Sequence, residues 1–297
     1  MQNSLSDAEK DYIRNGVDMD IRGDGRTNYS FRAVSIEDQI LPHVHGSAKV
    51  SVGNFTDILC SLKISVGEPR VDTKSQGILD VSVDISQHTN VKIDERQLMD
   101  YGNSLAETLQ SLLEGSESLN LEELCIIEGK YCWVLHVDIL VLQYDGSILD
   151  TASMAILNAL NRAKLPMTKK IIGESGLEED FEISGDLQDS VSINISKVPL
   201  CITVVKIGSC LVIDPTNAEL LCASGQLVIA IDENGVCCGI HKLLGGVFSI
   251  NDIDKAIKMA IEASKRLFTQ MKVIMTDETG ISTQYPEIPP ARVGLLA

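Results

Sequence analysis

The stretch that most constrains the fold of this chain is an apolar strand, a turn and an apolar helix at residues 133–163. Residues 133–142 read WVLHVDILVL and contain no Pro or Gly, which predicts a strand covered on both faces. Asp145 and Gly146 predict a turn. From Ile148 onward, small and apolar residues recur at helical spacing, which predicts an Ala-rich helix lying close on the sheet. An enzyme built this way would place its chemistry at the turn.

The charge balance of the chain limits the functions that it can have. The chain carries 42 Asp and Glu residues against 25 Lys and Arg, a formal net charge of −17. Proteins that bind nucleic acid on their own usually present an excess or a patch of basic residues, because their affinity comes from counterion release. The composition therefore argues against a stand-alone nucleic-acid-binding protein. It allows a few local basic contacts or a basic protein partner.

The N-terminus and the cysteines indicate an intracellular protein. The opening MQNSLSDAEKDYIR lacks the basic start and apolar core of a signal peptide. No segment reaches the ~18 uncharged apolar residues of a membrane-spanning helix. The eight cysteines form no CxxC pair, and buried, reduced thiols explain them better than disulfides or zinc.

Hydrophobic periodicity predicts an α+β chain of two β–α subdomains, with helices packed on mixed sheets. An S-x-x-E capping box at Ser6 begins the first helix. Helices are predicted at 6–15, 94–113, 148–163 and 250–272. Strands are predicted at 31–36, 49–52, 56–66, 78–85, 124–127, 133–142, 191–195, 201–207, 210–213, 227–231 and 236–240. Gly53 with Asn54, and Asn234 with Gly235, predict hairpin turns.

Changes in composition divide the chain into five predicted segments. They are an N-terminal helix and extended arm at 1–30, a first domain at 31–165, an acidic linker at 166–196, a second domain at 197–272 and a flexible C-terminal tail at 273–297. The linker is predicted because residues 171–196 hold seven acidic residues and no Lys or Arg. The tail is predicted because the chain there is polar and rich in Pro.

Three polar groups are candidates for binding or chemistry, and each has a plainer structural interpretation. RGDGR at 22–26 is interpreted as a tight exposed turn. His43 and His45 would share one face of a strand and could begin a metal site, although no third ligand is visible nearby. His136 and Asp138 also share a strand face. We interpret Asp138 as a buried, hydrogen-bonded carboxylate rather than half of a catalytic dyad.

Four segments, taken together, resemble the RNase PH family. They are RGDGR at 22–26, GSAKVSVGNFTDILCSLKISVGEP at 46–69, WVLHVDILVLQYDGSILDTASMAILNAL at 133–160 and VPLCITVVKIGSCLVIDPTNAEL at 198–220. The resemblance implies an RNase PH-like fold over nearly the whole chain. Within the family, the chain is most similar to the non-catalytic ring subunits of the eukaryotic RNA exosome, the lineage of the inactive archaeal ring subunit. The opening LSDAEKDYI and the ending RVGLLA strengthen that narrower match.

Active family members cleave RNA from its 3′ end with inorganic phosphate, and the resemblance implies that this chain has lost that activity. In active members the loop before the core helix carries a Thr-Arg pair, and the planar guanidinium of Arg can bind phosphate in a bidentate way. Here the loop reads Gly146, Ser147, Ile148, Leu149, Asp150. The pair is missing, and we interpret Asp150 as a negative charge that repels phosphate.

Two further departures from the active pattern point the same way. Active members carry D-x-x-x-E-D followed by another Asp. This chain keeps Asp214 and Glu219 but has Leu220 at the next acid and Gln226 near the last. Where active members carry an Arg in a Ser-Leu-Arg stretch, this chain has Ala106. The resemblance therefore implies a retained fold without catalytic residues, bound metal or cofactor.

The resemblance also implies partners. Six RNase PH-like subunits form a ring, S1/KH-type proteins cap it, and RNA passes through to separate hydrolytic nucleases. We expect a structural subunit that shapes the RNA channel and supports 3′-to-5′ processing and degradation of rRNA, mRNA and non-coding RNA. The expected location is the nucleus, including the nucleolus, and the cytoplasm.

Arg70 and Lys74 are the candidate RNA contacts, because they lie in a loop at 67–77 that is predicted to be exposed. Their plainer interpretation is ordinary surface charge. Two other functions stay open from the sequence. One is an active phosphate-dependent 3′-to-5′ exoribonuclease, against which the substituted positions argue. The other is a small-molecule enzyme that uses His43 and His45.

Overall fold

The computed structural model describes residues 5–86, 95–115, 119–172, 178–184 and 189–276. Within these ranges the helices are α1 Asp7–Asp18, α2 Glu95–Gly115, α3 Ile148–Arg162, α4 Asn217–Cys222 and α5 Ile250–Thr276. The capping box of α1 is confirmed, since Ser6 accepts a hydrogen bond from the Glu9 backbone N–H and the Glu9 carboxylate accepts one from the Ser6 backbone N–H. The predicted α+β architecture is confirmed, although α4 was not predicted.

The first sheet is mixed and belongs to the larger half of the molecule. Its strands are β1 Val34–Asp38, β2 Gly46–Val52, β3 Thr56–Gly67, β4 Ile78–Ile85, β5 Cys125–Ile127 and β6 Tyr131–Gln143. The order is β1-β2-β3-β6-β4, with β5 on β6, and only β4 runs parallel to its neighbour. Gly53 turns β2 into β3 with a φ of 61°, which confirms the predicted hairpin.

Helix α3 lies between the two halves of the molecule and is buried along most of its length. It packs on β2 and β3 on one side and on β11 (Leu200–Ile207) of the second sheet on the other. Every residue from Ile148 to Leu160 is buried. Small residues allow this close approach: a Cβ placed on Gly46 would lie 2.3 Å from the Ala159 carbonyl oxygen. The Ala-rich helix therefore lies close on the sheet, as its composition predicted.

The second sheet is antiparallel and is covered by helix α5. Besides β11 it contains β12 Cys210–Ile213, β13 Gly225–Ile231 and β14 Cys237–Leu244, in the order β12-β11-β13-β14. The turn at Asn234 and Gly235 joins β13 to β14 as predicted, with Gly235 at a φ of 81°. Helix α5 packs on β11, β12 and β13, and α2 of the first half contacts β14.

The segment predicted as an acidic linker contains short strands, of which only β10 overlaps a predicted strand, the one at 191–195. Here β8 Thr168–Ile172 pairs with β9 Glu178–Ile183, and β10 Ser190–Ser192 pairs with β7 Lys164–Pro166. Its acidic residues had suggested a solvated excursion without regular structure. Acidic side chains on an exposed two-stranded ribbon give the same sequence signal. The boundaries of the five predicted segments stay predictions, and the tail from 277 onward lies outside the described residues.

The prediction that both faces of β6 are covered is wrong for the second half of that strand. Val137 and Ile139 belong to the core, whereas Asp138 is exposed and Leu140 and Leu142 are each 38% exposed. The helices of this half pack on one face of the sheet, so alternate residues of β6 face outward. An apolar run can belong to a half-covered strand when its outward residues are Leu.

No helix in the described part of the chain is long and apolar enough to cross a membrane. All eight cysteines are free thiols, and Cys60, Cys132, Cys201 and Cys222 are buried. Burial raises the pKa of the Cys201 thiol to about 12, so that thiol stays protonated near neutral pH.

Candidate active site

The Gly23–Gly25 tip of the RGDGR turn is exposed as predicted, but the two arginines that flank it are buried. Arg22 and Arg26 are only 3% and 4% exposed, although Gly25 forms the tight turn expected, with a φ of 81°. The Arg22 guanidinium donates to both carboxylate oxygens of Glu219 and to the carbonyl oxygens of Ile213 and Asp214. The first turn of α4 is thereby fixed to the N-terminal arm by a bidentate ion pair.

Asp214 is the centre of the site and is fully buried. Its Oδ2 accepts hydrogen bonds from Arg26 Nη1 at 2.8 Å and from Arg32 Nε at 2.8 Å. Its Oδ1 accepts one from Arg32 Nη2 at 2.6 Å. The backbone of Asp214 is left-handed, with a φ of 45°, a conformation that Asp tolerates better than most residues. Two guanidinium groups therefore enclose one carboxylate that the resemblance assigns to the acidic cluster of active members.

Arg32 connects this carboxylate to the central turn of the chain. Its Nη1 donates to the carbonyl oxygen of Asp145 at 2.7 Å. Burial acts to lower the pKa of the Arg32 guanidinium, but the hydrogen bonds and charge of Asp214 outweigh it and raise that pKa above its usual value. Arg32 is thus a permanent cation inside the site, and the predicted strand at 31–36 begins after it, at Val34.

The turn between β6 and α3 is closed by the loop that precedes α4. Gly146 has a φ of 112°, and a Cβ on it would lie 1.9 Å from the Pro215 carbonyl oxygen. The Gly146 N–H donates to Asn217 Oδ1 at 3.1 Å, and the Asn217 N–H donates to Asp145 Oδ1 at 2.9 Å. The loop therefore occupies the Gly146 N–H, a donor that a bound anion could otherwise use.

Asp150 points into the core, which corrects the interpretation of its charge as one that faces a phosphate. It is 1% exposed, and its carboxylate accepts hydrogen bonds from the Thr203 N–H at 2.9 Å and the Thr203 hydroxyl at 2.7 Å. Burial raises the pKa of Asp150 to about 7, against the lowering effect of these hydrogen bonds. Asp150 links α3 to β11, and its charge is directed at the second sheet.

A cleft of about 460 Å³ opens beside this cluster, between α1, the RGDGR turn and α4. Its apolar wall includes Tyr12 and Ile21, and its acidic side chains are Asp24, Asp145 and Glu219. Arg22 also lines the cleft, but its guanidinium is paired with Glu219. The remaining acids, Asp24 and Asp145, therefore disfavour a phosphate there by charge repulsion. Within the described ranges, no group of three or more His, Cys, Asp or Glu residues could hold a metal ion.

The two histidine candidates lie elsewhere and differ from their predicted geometry. His43 and His45 occupy the turn before β2 rather than a strand, and His45 Nδ1 accepts the Ile64 N–H at 3.2 Å. Because the chain turns there, alternation along a strand does not apply to them. No third ligand brings the pair into a metal site among the described residues.

The other histidine, His136, pairs with residues that the sequence did not single out. Its Nδ1 lies 3.1 Å from Asp80 Oδ2 and its Nε2 lies 3.0 Å from Ser65 Oγ, across three adjacent strands. Asp138 is exposed rather than buried, and it accepts the Ser82 hydroxyl at 2.7 Å. The Ser–His–Asp order resembles a hydrolytic triad, but Ser65 lies within the β3–β6 ladder, where backbone N–H groups are used for pairing. Such a position supplies no oxyanion hole.

The predicted RNA-contacting residues lie on the loop between β3 and β4. Arg70 is half exposed, and its Nη2 lies 3.8 Å from Glu114 Oε1 at the end of α2. Lys74 is exposed, and its carbonyl oxygen accepts the Gly129 N–H. The loop is exposed as predicted, while an RNA contact by either residue stays a prediction.

Sequence reasoning missed two contributors to the site, Arg32 and the loop before α4. A signal for α4 was present, since Thr216 and Glu219 form a T-x-x-E capping box that the structure contains. For Arg32 there was no signal, because its partner Asp214 is 182 residues away in the chain.

Two family models match the chain. The 3′ exoribonuclease family, domain 1 (RNase PH), matches residues 30–166, and the 3′ exoribonuclease family, domain 2, matches residues 197–263. Together they cover more than half of the 297 residues.

Similar proteins include two archaeal relatives. The Exosome complex component Rrp42 of Thermoplasma acidophilum is 32% identical over 263 residues, which are 89% of this chain and 95% of the relative. The Exosome complex component Rrp42 of Pyrococcus furiosus is 29% identical over 258 residues, which are 87% of this chain and 90% of the relative.

Similar solved structures support the fold. An Archaeoglobus fulgidus exosome with RNA bound to the active site contains a chain that matches with a TM-score of 0.75 at 24% identity, covering 89% of this chain and 98% of that one. A chain of an archaeal exosome core matches with a TM-score of 0.72 at 24% identity, covering 90% of this chain and 97% of that one.

Removing the central charge should destabilise the protein strongly. Asp214→Asn leaves Arg26 and Arg32 without their shared carboxylate, and we expect the free energy of unfolding to fall by about 3–5 kcal/mol. The matched control is Asp254→Asn, which removes an exposed partner of Lys258 and should change stability by ~0.5 kcal/mol or less. Urea denaturation measures both. If both variants lose the same small amount of unfolding free energy, the buried cluster does not hold the two halves together.

The buried carboxyl of Asp150 should make stability depend on pH around neutrality. Its folded pKa of about 7 lies above its ordinary value of 3.8, so the contribution of Asp150 is fully present below pH 3.8 and is lost as pH rises from there through about 7. Asp150→Asn keeps acceptor and donor groups for Thr203 without a charge. We expect the melting temperature of the variant, measured relative to that of the wild type, to rise between pH 5.5 and pH 8. A difference in melting temperature between the variant and the wild type that stays constant across this pH range would contradict the raised pKa of Asp150.

Proposed function

Because this chain belongs to the RNase PH family of 3′ exoribonucleases, we propose that it is a non-catalytic ring subunit of an RNA exosome core. The relatives from Thermoplasma and Pyrococcus are named Exosome complex component Rrp42, and they align with this chain over nearly the full length of both partners. The shared fold with chains of archaeal exosome structures is consistent with the same kind of assembly. Its ring neighbours would be other RNase PH-like chains.

The observation that carries the non-catalytic assignment is the burial of Ile148 and Leu149. They stand in the first turn of α3, at the positions where active members carry the Thr-Arg pair, and they are 2% and 1% exposed. Buried apolar side chains cannot donate hydrogen bonds to a phosphate, so the first turn of α3 serves the core. Ala106, at the position of another Arg of active members, is also buried.

The retained acids support the same assignment. Asp214 and Glu219 are the two members of the acidic cluster that this chain keeps, and both are engaged by buried arginines. A carboxylate that is neutralised in this way is a poor ligand for a metal and a poor proton acceptor, because its lone pairs are already occupied. The acids therefore hold the fold together, and phosphate-dependent cleavage would have to occur elsewhere.

In the proposed role the chain shapes the channel through which RNA reaches separate hydrolytic nucleases. Cap proteins of the S1/KH type would bind one end of the ring, and the assembly would act in 3′-to-5′ processing of rRNA and in turnover of mRNA and non-coding RNA. We propose nuclear, nucleolar and cytoplasmic pools of the protein. The net charge of −17 favours ring neighbours that are more basic than this chain.

The decisive experiment combines assembly with activity. We expect the chain, co-expressed with RNase PH-like partners, to elute with them as one ring-sized species. We expect the purified chain alone to release no nucleoside diphosphates from a 3′ RNA end when phosphate is added, while an active family member does so under the same conditions. Sulfate in place of phosphate is the control for simple ionic effects. Phosphate-dependent release by this chain would establish the alternative, an active exoribonuclease, and a chain that copurifies with no such partner would contradict the ring role.

Arg70 and Lys74 are proposed as RNA contacts of the assembled ring. Charge reversal at both positions should weaken RNA binding and lower the slope of log affinity against log salt by roughly one for each phosphate that the protein no longer neutralises. The control reverses Lys258 and Arg266, which are exposed on α5 and each paired with an acid. Fluorescence anisotropy with labelled single-stranded RNA measures both variants. An equal slope in the two variants would assign Arg70 and Lys74 to ordinary surface charge.

A further inference from the structure

The second sheet ends in an exposed strand edge. Strand β14, residues Cys237–Leu244, pairs with β13 on one side, and no strand of the described chain pairs with its other side. At ~3.4 Å per residue, its eight residues present an edge of about 27 Å. The N–H and C=O groups on such an edge can pair with a strand of another chain.

Exposed apolar side chains accompany this edge and continue past it to the start of α5. They are Val236 at 57% exposure, Ile240 at 46%, Leu243 at 37%, Leu244 at 41%, Val247 at 86% and Ile250 at 86%. Six large apolar side chains in fifteen consecutive residues form a patch of the kind that marks protein–protein interfaces. The edge lacks proline, which often blocks pairing, and has Lys242 as its single Lys or Arg.

The charge of this segment differs from that of the rest of the chain. No Asp or Glu occurs from Asn234 to Asn251, although the whole chain has 42 acidic residues in 297. The edge is therefore free of the local repulsion that acidic residues would exert on an approaching strand. A second copy of this chain would bring another −17 charges, and long-range repulsion opposes that pairing. The charge balance favours a different chain as the occupant.

We propose that the outer edge of β14 forms a continuous sheet with an edge strand of a neighbouring RNase PH-like chain that is less acidic than this one. This inference rests on the proposed ring function and names one surface through which the ring closes. Backbone hydrogen bonds along β14 supply the alignment. The apolar side chains from Val236 to Ile250 supply the buried area, because the partner removes them from water.

The test uses the full chain assembled with its RNase PH-like partners. The edge variant carries Ile240→Lys and Leu244→Lys, since lysines on an edge strand oppose pairing and their charges would have to lose water at the interface. The control variant carries Met99→Lys and Val273→Lys, which place the same two charges at exposed apolar positions on α2 and α5. All four native side chains are exposed, so thermal melting of each variant alone should match the wild type.

We expect the edge variant to bind a ring partner about tenfold or more weakly, and the control variant to bind within about twofold of the wild type. Hydrogen exchange followed by mass spectrometry supplies a second readout, in which peptides covering 236–250 should exchange more slowly in the assembly than in the free chain. A ring that assembles equally with the edge variant, without protection of that segment, would overturn this inference and leave the ring function intact.

Two other outcomes separate the remaining possibilities. If the wild-type chain binds no RNase PH-like partner at all, the proposed function fails, and this inference fails with it. If sedimentation shows a dimer of this chain alone that the edge variant abolishes, a second copy occupies the edge, and the assignment of a less acidic neighbour is wrong.

Discussion

The ion pairs around Asp214 are the interaction on which the rest of the structure depends. One buried carboxylate receives Arg26 and Arg32 from the arm before the first sheet, and Arg32 also holds the carbonyl oxygen of Asp145 at the end of β6. Three distant segments therefore meet at one charge. Burying these ions is unfavourable by itself, and the arrangement is stable because nearly every donor and acceptor is matched. Under the proposed function, the same matching leaves these acids a structural role rather than one in cleavage.

Helix α3 is the second constraint, and it couples the site to the core. Its Ala-rich sequence lets two sheets approach from opposite sides, and its first turn supplies Ile148 and Leu149 to the interior. The turn before it is fixed by the loop at Pro215, which contacts Gly146 directly. The scaffold that could carry an active site is thus complete. At the positions where the resemblance expects a phosphate-binding pair, this chain has the packing contacts of Ile148 and Leu149.

Periodicity predicted the helices and strands well, because each of these elements is determined largely by residues that are close in sequence. The predicted bounds of β4, β6 and α3 lie within two residues of the observed ones. The family was predicted from the resemblance. Tertiary contacts were not predictable in the same way. The RGDGR arginines read as an exposed turn because their partners lie nearly 200 residues away, as for Arg22 and Glu219. The direction of the Asp150 side chain likewise depends on Thr203, which no local pattern reveals.

Because helix α3 is buried between the two halves, it affects how either half would behave if it were separated from the other. The family treats residues 30–166 and 197–263 as separate domains, yet α3, which belongs to the first, completes the core of the second through β11. Either half expressed alone would expose a continuous apolar strip to water. We therefore expect the two segments to fold together rather than as autonomous units.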